Sequence, residues 1–215
     1  MEKHIQKYLI TVITPTILRP ELKLLCDYIK TANEELGNIQ HLVMVDKKVI
    51  NEEDNKLLES IESMDRELIR VHKTIEGNDF GNTARKVAYP FIKGKYVINI
   101  DDDKDLPIND LFNKFCELLV MKKENHDLII FPALRGGVRF FNIPAGKCKT
   151  VSCQYFYKPV IKKKKIIWKE GNEYTQDGDF LEEIMSLTTP YYWDTEKPLI
   201  RVDNASRGLR QTTKL

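Results

Sequence analysis

The stretch GNTARKVAYPFIKGKYVINIDDD, residues 81–103, decides how this chain folds. A helical pattern and a glycine lead into the apolar run Tyr96–Ile100, which the three aspartates Asp101, Asp102 and Asp103 follow directly. A short apolar run bounded by turn residues is typical of a buried strand. Adjacent carboxylates repel each other unless a cation neutralises part of their charge. The stretch therefore predicts a helix, a buried strand and a metal-binding cluster at the end of that strand.

The residues before this stretch repeat an order of strand and helix. Apolar runs rich in β-branched residues predict strands at Tyr8–Ile13, His41–Val45 and Leu68–Val71. Helical patterns predict helices at Pro20–Leu36, Asn51–Met64 and Asn82–Ile92. Thr14-Pro15-Thr16 is expected to break the first strand, because proline lacks the N–H that a central strand donates. Strands that alternate with helices in this way indicate an α/β fold with a mostly parallel central sheet.

The chain after the aspartates changes character. A helix is predicted from Leu106-Pro107 to Met121. Beyond His126, short alternating runs separated by glycine, proline or lysine predict a smaller antiparallel ribbon in the C-terminal half. Helical order returns at Asp177–Leu187. Residues 188–215 show no clear periodicity, so we expect them to wrap the surface.

Composition narrows the class of protein. With 215 residues, 42% of them hydrophobic, the chain is long enough for one substantial core, so we expect a single domain, 1–215. Lys and Arg number 34 and Asp and Glu number 32, and the net charge of +2 gives no support to a nucleic-acid partner. The four cysteines form no CxxC pair, and no window reaches the roughly 18 apolar residues of a spanning helix. These features predict a cytoplasmic protein with no transmembrane segment.

The aspartates do not fit a calcium-binding helix–loop–helix. That loop requires a glycine at its sixth position and a glutamate at its twelfth, where this chain has Leu106 and Phe112. The remaining interpretation is a carboxylate cluster at the carboxyl edge of a parallel sheet, where such sheets bind ligands. Few carboxylates with open coordination suit Mn²⁺ or Mg²⁺ that bridges to the phosphates of a substrate. The alternative is a solvated acidic turn that caps the next helix.

Four segments together resemble one family of enzymes. They are VITPTILRP at 12–20, the second predicted strand ending in Asp46, the stretch at 81–103, and QDGDFLEEI at 176–184. Their order and spacing are similar to those of nucleotide-sugar glycosyltransferases of the GT-A fold, family-2-like, of the stand-alone type found in bacteria and large DNA viruses. The resemblance implies a Rossmann-like GT-A domain with a nucleotide-binding half at 1–105 and an acceptor-binding half at 106–215.

The resemblance also implies roles for individual residues. The residues that would bind the nucleotide sugar are Thr14, Pro15, Thr16, Arg19, Asp46, Asn82, Arg85, Asp101 and Asp102. Asp101 and Asp103 would ligate the divalent metal, Mn²⁺ or Mg²⁺. Each residue alone has a structural explanation, since threonines occur in turns, Asp46 precedes a helix, and Arg85 fits a solvated helix face.

A second acidic site is implied near the C-terminus. An inverting enzyme needs a group that deprotonates the acceptor hydroxyl, and a carboxylate beside the anomeric carbon commonly serves. Asp177 matches the family position best, although the family often has Glu-Asp where this chain has Gln176-Asp177. Asp179 remains the alternative, because either aspartate also suits the start of a helix.

The implied reaction is transfer of a sugar, from a UDP-sugar in the first instance, to a hydroxyl of a glycan, glycoprotein or glycolipid. A processive polymer synthase is not indicated, because the family's Gln-x-x-Arg-Trp element is absent. Two alternatives remain open. One is a noncatalytic or degenerate nucleotide-sugar-binding module. The other is a sugar-nucleotide nucleotidyltransferase, which needs a glycine-rich loop after the first strand, whereas TPTILRP contains no glycine.

The run Lys162–Lys165 is the one strong local concentration of charge in the sequence. It predicts a solvated hairpin edge, since lysines discourage strands from pairing edge to edge. The alternative is contact with an anionic acceptor or with membrane headgroups. Trp168, which follows this run, fits either an acceptor-stacking surface or the core.

Overall fold

The computed structural model describes residues 8–47, 49–64, 69–73, 81–102, 106–122, 125–135, 137–140, 152–168 and 176–202. Within these residues the chain forms five α-helices and three β-sheets. Asp103, which was predicted to ligate a metal, lies outside the described residues.

The N-terminal half alternates strands with helices. Its elements are β1 (Tyr8–Thr16), α1 (Glu21–Leu36), β2 (Ile39–Val45), α2 (Glu52–Glu62), β3 (Ile69–Lys73), α3 (Asn82–Ala88) and β4 (Gly94–Asn99), with a 3₁₀ turn (Tyr89–Phe91) between α3 and β4. β1 pairs in parallel with both β2 and β4, and β2 pairs in parallel with β3. The predicted α/β fold with a mostly parallel central sheet is confirmed.

The C-terminal half extends this sheet and adds two smaller ones. Its elements are β5 (Leu106–Pro107), α4 (Leu111–Lys122), β6 (Leu128–Ile130), β7 (Ala133–Arg135), β8 (Val138–Phe140), β9 (Tyr155–Tyr157), β10 (Val160–Ile161), β11 (Lys164–Lys165), α5 (Gln176–Leu187), β12 (Tyr191–Tyr192) and β13 (Ile200–Val202). The central sheet has the order β12-β6-β9-β4-β1-β2-β3, and β9 is antiparallel to its neighbours. A second sheet has the order β5-β13-β7-β8, and β10 and β11 form a separate hairpin.

The first strand is longer than its sequence predicts. Thr14-Pro15-Thr16 continues β1 and pairs with Val43–Val45 of β2. The carbonyl of Ile13 accepts a hydrogen bond from the N–H of Ile100, so the backbone of Ile13 faces β4. The backbone of Pro15, two residues later in the same strand, faces the same side. The pairing of β1 with β4 stops at Ile13, and the missing N–H of Pro15 therefore costs the sheet no hydrogen bond.

Two other predictions of secondary structure were wrong. Leu106-Pro107 begins no helix but pairs antiparallel with β13, and α4 begins at Leu111. The C-terminal residues do not simply wrap the surface, because Leu199 and Ile200 are fully buried and β13 lies between β5 and β7. Both errors have one cause, since the partner that fixes each segment is far away in the sequence.

The central sheet is covered on both faces. On one side, which we call the α1 face, Tyr96, Ile98 and Ile100 pack in a core with α1 and α4. On the other side, the α3 face, Val97 packs in a core with α3 and α5. This alternation along β4 follows from the period of two in a strand. A side chain on Gly94 would lie only 2.4 Å from the backbone nitrogen of Thr11, so glycine is required where β4 begins beside β1.

Candidate functional site

The predicted binding residues meet at the carboxyl edge of the central sheet. Parallel strands end at one edge, and here the ends of β1, β2 and β4 are adjacent in the sheet. The backbone N–H of Asp46 donates to the carbonyl of Thr16 over 2.7 Å, which joins the end of β2 to the end of β1. Asp101 and Asp102 follow β4 after one intervening residue, Ile100. The fold thus brings together segments that lie far apart in the sequence.

Strand alternation separates the neighbouring aspartates. Ile98 and Ile100 belong to the α1 face, and Asp102 continues this even-numbered series. Val97 belongs to the α3 face, and Asp101 continues the odd-numbered series. Each aspartate meets an arginine on its own side, Arg19 for Asp102 and Arg85 for Asp101. One acidic cluster in sequence therefore becomes two ion pairs with different surroundings.

Asp102 ties the loop after β1 to the end of β4. The residue as a whole is 2% exposed, and its carboxylate accepts hydrogen bonds from the Thr16 hydroxyl, the Arg19 guanidinium and, over 3.3 Å, the Arg19 backbone N–H. The Thr16 oxygen in turn accepts from the N–H of Leu18 over 2.7 Å, and Leu18 has a φ of 66°. We call Thr16, Leu18, Arg19 and Asp102 the clasp. It holds a left-handed residue in place, a conformation that a branched side chain rarely adopts unaided.

Burial is the main influence on the pKa of Asp102 in the clasp. Desolvation raises the pKa of Asp102 above its usual value, and the opposing effects of Arg19 and Thr16 are smaller. Since both carboxylate oxygens already accept hydrogen bonds within the protein, Asp102 acts on the shape of the loop. The contact of Asp102 with a nucleotide stays a prediction from the sequence.

Arg85 is the buried member of the second pair. It is 3% exposed, its Nη2 donates to Asp101, and its guanidinium carbon lies 4.7 Å from the centroid of the Trp168 ring. Trp168 stacks on Phe180 of α5, with ring centroids 4.2 Å apart. Burial lowers the pKa of Arg85, but the carboxylates of Asp101 and Asp177 together outweigh it, and the net pKa is raised. The solvated helix face that was an alternative for Arg85 is therefore excluded.

The first turn of α5 carries both candidate bases. Asp177 is half-buried, and its charge acts on Arg85 and on the buried hydroxyl of Tyr155. Burial, the largest effect, and then the negative charge of Asp177 raise the pKa of Tyr155 well above its ordinary value. Asp179 is also half-buried. The electrostatic coupling to Arg85 joins Asp177, through that side chain, to Asp101.

Several other predicted residues have structural surroundings. Thr14 is fully buried and its hydroxyl lies 3.0 Å from Nε2 of His41, whose pKa burial lowers to about 3. Pro15 packs against Gly81, where an added Cβ would lie 2.7 Å from the proline Cβ and where φ is 79°. Asn82, the first residue of α3, is 2% exposed. These residues pack beneath the carboxyl edge of the central sheet and support it.

Sequence reasoning missed the aromatic support of the site. Trp168 was open to an acceptor-stacking role, but it is 3% exposed and belongs to the core on the α3 face. Its contact with Arg85 joins residues from distant parts of the chain, so no local pattern indicates it. The sequence did indicate the burial of Thr14 and the position of Thr16. Both threonines are even-numbered residues of β1, and they therefore share one face of the strand with the apolar Ile10 and Val12.

The carboxylates at this edge are the type of ligand that a divalent metal prefers, but few of them lie together in the described residues. Asp101 offers a 31% exposed carboxylate of the hard-oxygen type that Mn²⁺ and Mg²⁺ prefer, at the carboxyl edge of the central sheet. Among the residues that the structure describes, no three His, Cys, Asp or Glu side chains form a metal-binding group. Asp102 accepts hydrogen bonds within the clasp, and the second predicted ligand, Asp103, lies outside the described residues.

Solved structures share this fold. No family model matches the sequence, and no curated protein matches it. Residues 1–349 of S. aureus TarS superpose with a TM-score of 0.69 at 14% identity, covering 91% of this chain and 60% of that one. The same TarS residues in complex with UDP give a TM-score of 0.68 at 15% identity with the same coverage.

A third structure comes from an archaeon. The mannosyltransferase PcManGT from Pyrobaculum calidifontis, in complex with GDP-Man and Mn²⁺, gives a TM-score of 0.64 at 14% identity, covering 94% of this chain and 59% of that one. This chain thus spans less than two thirds of the length of the chains it matches. No helix in the described ranges is long and apolar enough to cross a membrane. At these identities the likeness establishes the fold, which is the GT-A fold of nucleotide-sugar glycosyltransferases.

Proposed function

We propose that the protein is a metal-dependent glycosyltransferase that moves a sugar from a nucleoside diphosphate sugar to a hydroxyl acceptor. One observation carries the proposal: Asp46, Asp101, Arg85 and Asp177 converge at one edge of the sheet. There Arg85 forms an ion pair with Asp101 and interacts electrostatically with Asp177. Structures of similar fold carry UDP, UDP-GlcNAc or GDP-Man. They support a UDP-sugar as the first donor to test.

The donor would lie across the ends of β1, β2 and β4. In this arrangement Asp46 reads the base, and the loop after β1, held by the clasp, contacts the ribose and diphosphate through its exposed side, where the Arg19 side chain is 41% exposed. Asp101 and Asp103 would hold Mn²⁺ or Mg²⁺. A bound metal would stabilise the charge of the departing diphosphate as a Lewis acid.

The acceptor would lie beside the first turn of α5. Asp177 removes the proton from the acceptor hydroxyl, the hydroxyl oxygen forms a bond to the anomeric carbon, and the bond from that carbon to the diphosphate oxygen breaks. Attack from the face opposite the leaving group inverts the configuration. Asp179 is the alternative base. The division into a nucleotide-binding half, 1–105, and an acceptor-binding half, 106–215, is part of this proposal.

Calorimetric titration tests the donor. UDP-glucose, UDP-galactose, UDP-GlcNAc and GDP-mannose are titrated with and without Mn²⁺ into the native protein, Asp103→Ala and the control Asp27→Ala. Asp27 lies on α1 in an exposed pair with Lys23, so its loss changes the charge equally without touching the edge. We expect one donor to bind with Mn²⁺, at least about ten-fold more weakly in Asp103→Ala and unchanged in Asp27→Ala.

Two outcomes would count against the proposal. Metal-independent binding of every donor, unchanged in Asp103→Ala, contradicts the metal-dependent site. Metal-dependent binding without donor turnover over a panel of glycan, glycoprotein and glycolipid acceptors would favour a noncatalytic nucleotide-sugar-binding module. The acceptor class and the cytoplasmic location stay predictions from the sequence.

A further inference from the structure

The hairpin of β10 and β11 presents an unusual turn. Lys162, Lys163, Lys164 and Lys165 are all exposed, and the two turn residues Lys162 and Lys163 have φ angles of 49° and 66°. A two-residue turn with both φ values positive favours Asn-Gly, because larger side chains are strained there. Strained backbone that persists in a fold is enriched at functional positions. The turn therefore invites a functional explanation of the lysines.

The hairpin lies beside an exposed apolar segment. The Tyr89 hydroxyl donates to the carbonyl of Pro159 over 3.1 Å, and the ammonium of Lys165 lies 5.9 Å from the centroid of the Tyr89 ring. These contacts bring the 3₁₀ turn and the end of α3 next to the hairpin. The basic face, as we call this surface, consists of Lys93, Lys162–Lys165, Val87, Phe91 and Val160.

The basic face combines charge with exposed apolar area. Val87, Phe91 and Val160 are 40%, 39% and 49% exposed. Lys93, two residues after Phe91, is also exposed, and among the lysines of the hairpin Lys164 pairs with Glu183. Apolar side chains surrounded by lysines are the composition of surfaces that lie on membranes.

The 3₁₀ turn and the start of the hairpin lie at the opposite edge of the central sheet from the candidate site. Phe91 precedes the first residue of β4, Gly94, by three positions, so the 3₁₀ turn lies at the amino edge of the central sheet. Lys158, which leads into the hairpin, donates its N–H to the carbonyl of Asp127, just before the start of β6. The donor site lies at the carboxyl edge. A ligand of the basic face would therefore leave the donor site open.

We propose that the basic face docks the protein on an anionic lipid bilayer. The lysines contact the lipid phosphates, and Val87, Phe91 and Val160 enter the boundary between headgroups and acyl chains. A soluble polyanion offers the lysines the same charge but offers the apolar side chains no region free of water. The apolar side chains therefore favour a bilayer. This inference stands independently of the proposed glycosyl transfer, because it uses no residue of the carboxyl edge.

Vesicle flotation tests the docking. The full chain is mixed with vesicles of phosphatidylglycerol and phosphatidylcholine, or of phosphatidylcholine alone, at low and at high salt. We expect binding to the anionic vesicles at low salt. Each lysine near the membrane surface raises the partition coefficient about five-fold. Loss of two lysines should therefore lower it about twenty-five-fold, and the reversed charges of Lys162→Glu/Lys163→Glu should lower it further. Phe91→Ser should weaken the binding that persists at high salt.

A matched variant controls for net charge. Lys56→Glu/Lys197→Glu makes the same charge change at exposed positions outside the basic face and should bind the vesicles as the native protein does. Thermal unfolding of each variant checks that the fold is retained. Absence of binding to anionic vesicles, or equal loss in the two double variants, would overturn the proposal. Binding to polyphosphate but not to vesicles would overturn it in favour of a soluble polyanion.

Discussion

The two faces of the central sheet end in two arginine–aspartate pairs of opposite design. On the α1 face the aspartate is the buried member, since the Asp102 side chain is 1% exposed and that of Arg19 is 41% exposed. On the α3 face the arginine is buried, since the Arg85 side chain is 2% exposed and that of Asp101 is 31% exposed. The difference assigns different duties to neighbouring aspartates. Asp102 fixes the loop after β1, whereas Asp101 presents a carboxylate at the edge.

The contrast extends to the groups beyond each pair. On the α1 face, Asp102 accepts hydrogen bonds from the neutral Thr16 hydroxyl and from the backbone N–H of Arg19. On the α3 face, the charge of Asp177 adds to that of Asp101 around Arg85. The α1 face thus satisfies its charge locally, and the α3 face links two acidic groups through one cation. We interpret the first arrangement as positioning and the second as the site of chemistry.

The largest expected effect separates the two aspartates of α5. Asp177→Asn should lower the rate of sugar transfer by about 10²–10⁴-fold, because it removes the proposed general base, and should leave donor affinity nearly unchanged. Asp179→Asn, in the same helical turn, is the matched control and should retain transfer. Rates come from release of nucleoside diphosphate, and affinities from calorimetry. Loss of transfer in Asp179→Asn alone would move the base by two residues.

The next effect concerns the buried cation. Arg85→Ala should lower the free energy of unfolding by about 3 kcal/mol, because it leaves Asp101 without its partner and opens a space beside Trp168. Arg201→Ala, at an exposed position of β13, is the control and should stay within about 0.5 kcal/mol of the native protein. Urea denaturation measures both. Equal stability of the two variants would break the proposed contrast between the faces.

A double-mutant cycle tests the clasp. Arg19→Ala should cost about 1–2 kcal/mol of unfolding free energy, because it leaves the buried Asp102 carboxylate without its cation while water partly replaces an exposed guanidinium. Adding Asp102→Asn should restore part of the loss, since the stranded charge is then removed. The same urea denaturation serves. Strictly additive losses would mean that Arg19 and Asp102 contribute independently.

The last effect, a gradual slope with pH and not a single loss, is a pH dependence on the α1 face. Burial lowers the pKa of His41 to about 3 from an unperturbed 6.5. Between these values the unfolded chain binds a proton that the folded chain does not, so the free energy of unfolding falls as the pH falls, by at most about 1.4 kcal/mol per pH unit. His41→Gln should remove this part of the slope in urea denaturation at several pH values. An unchanged slope would show that the pKa of His41 is the same in the folded and the unfolded chain.

The sequence predicted the parts of the fold that depend on near neighbours. The order of strands and helices through β4 follows from local periodicity, and the aspartates were placed at the correct edge. β13 could not be predicted, because Ile200 and Pro107 pair only once the chain has folded. The tie between Thr16 and Asp102 was within reach, because both follow the period of two in their strands. The contact of Trp168 with Arg85 was not, because no periodicity relates these two residues.

The central claim is that the carboxyl edge of the central sheet binds the nucleotide. Hydrogen–deuterium exchange tests this claim most directly. The chain is labelled with and without UDP and Mn²⁺, and protection is mapped along the backbone. We predict slower exchange at residues 17–19, at Asp46 and at residues 100–102, with no change in the hairpin at 160–165. Protection confined to that hairpin, or absent from the strand ends, would contradict the account.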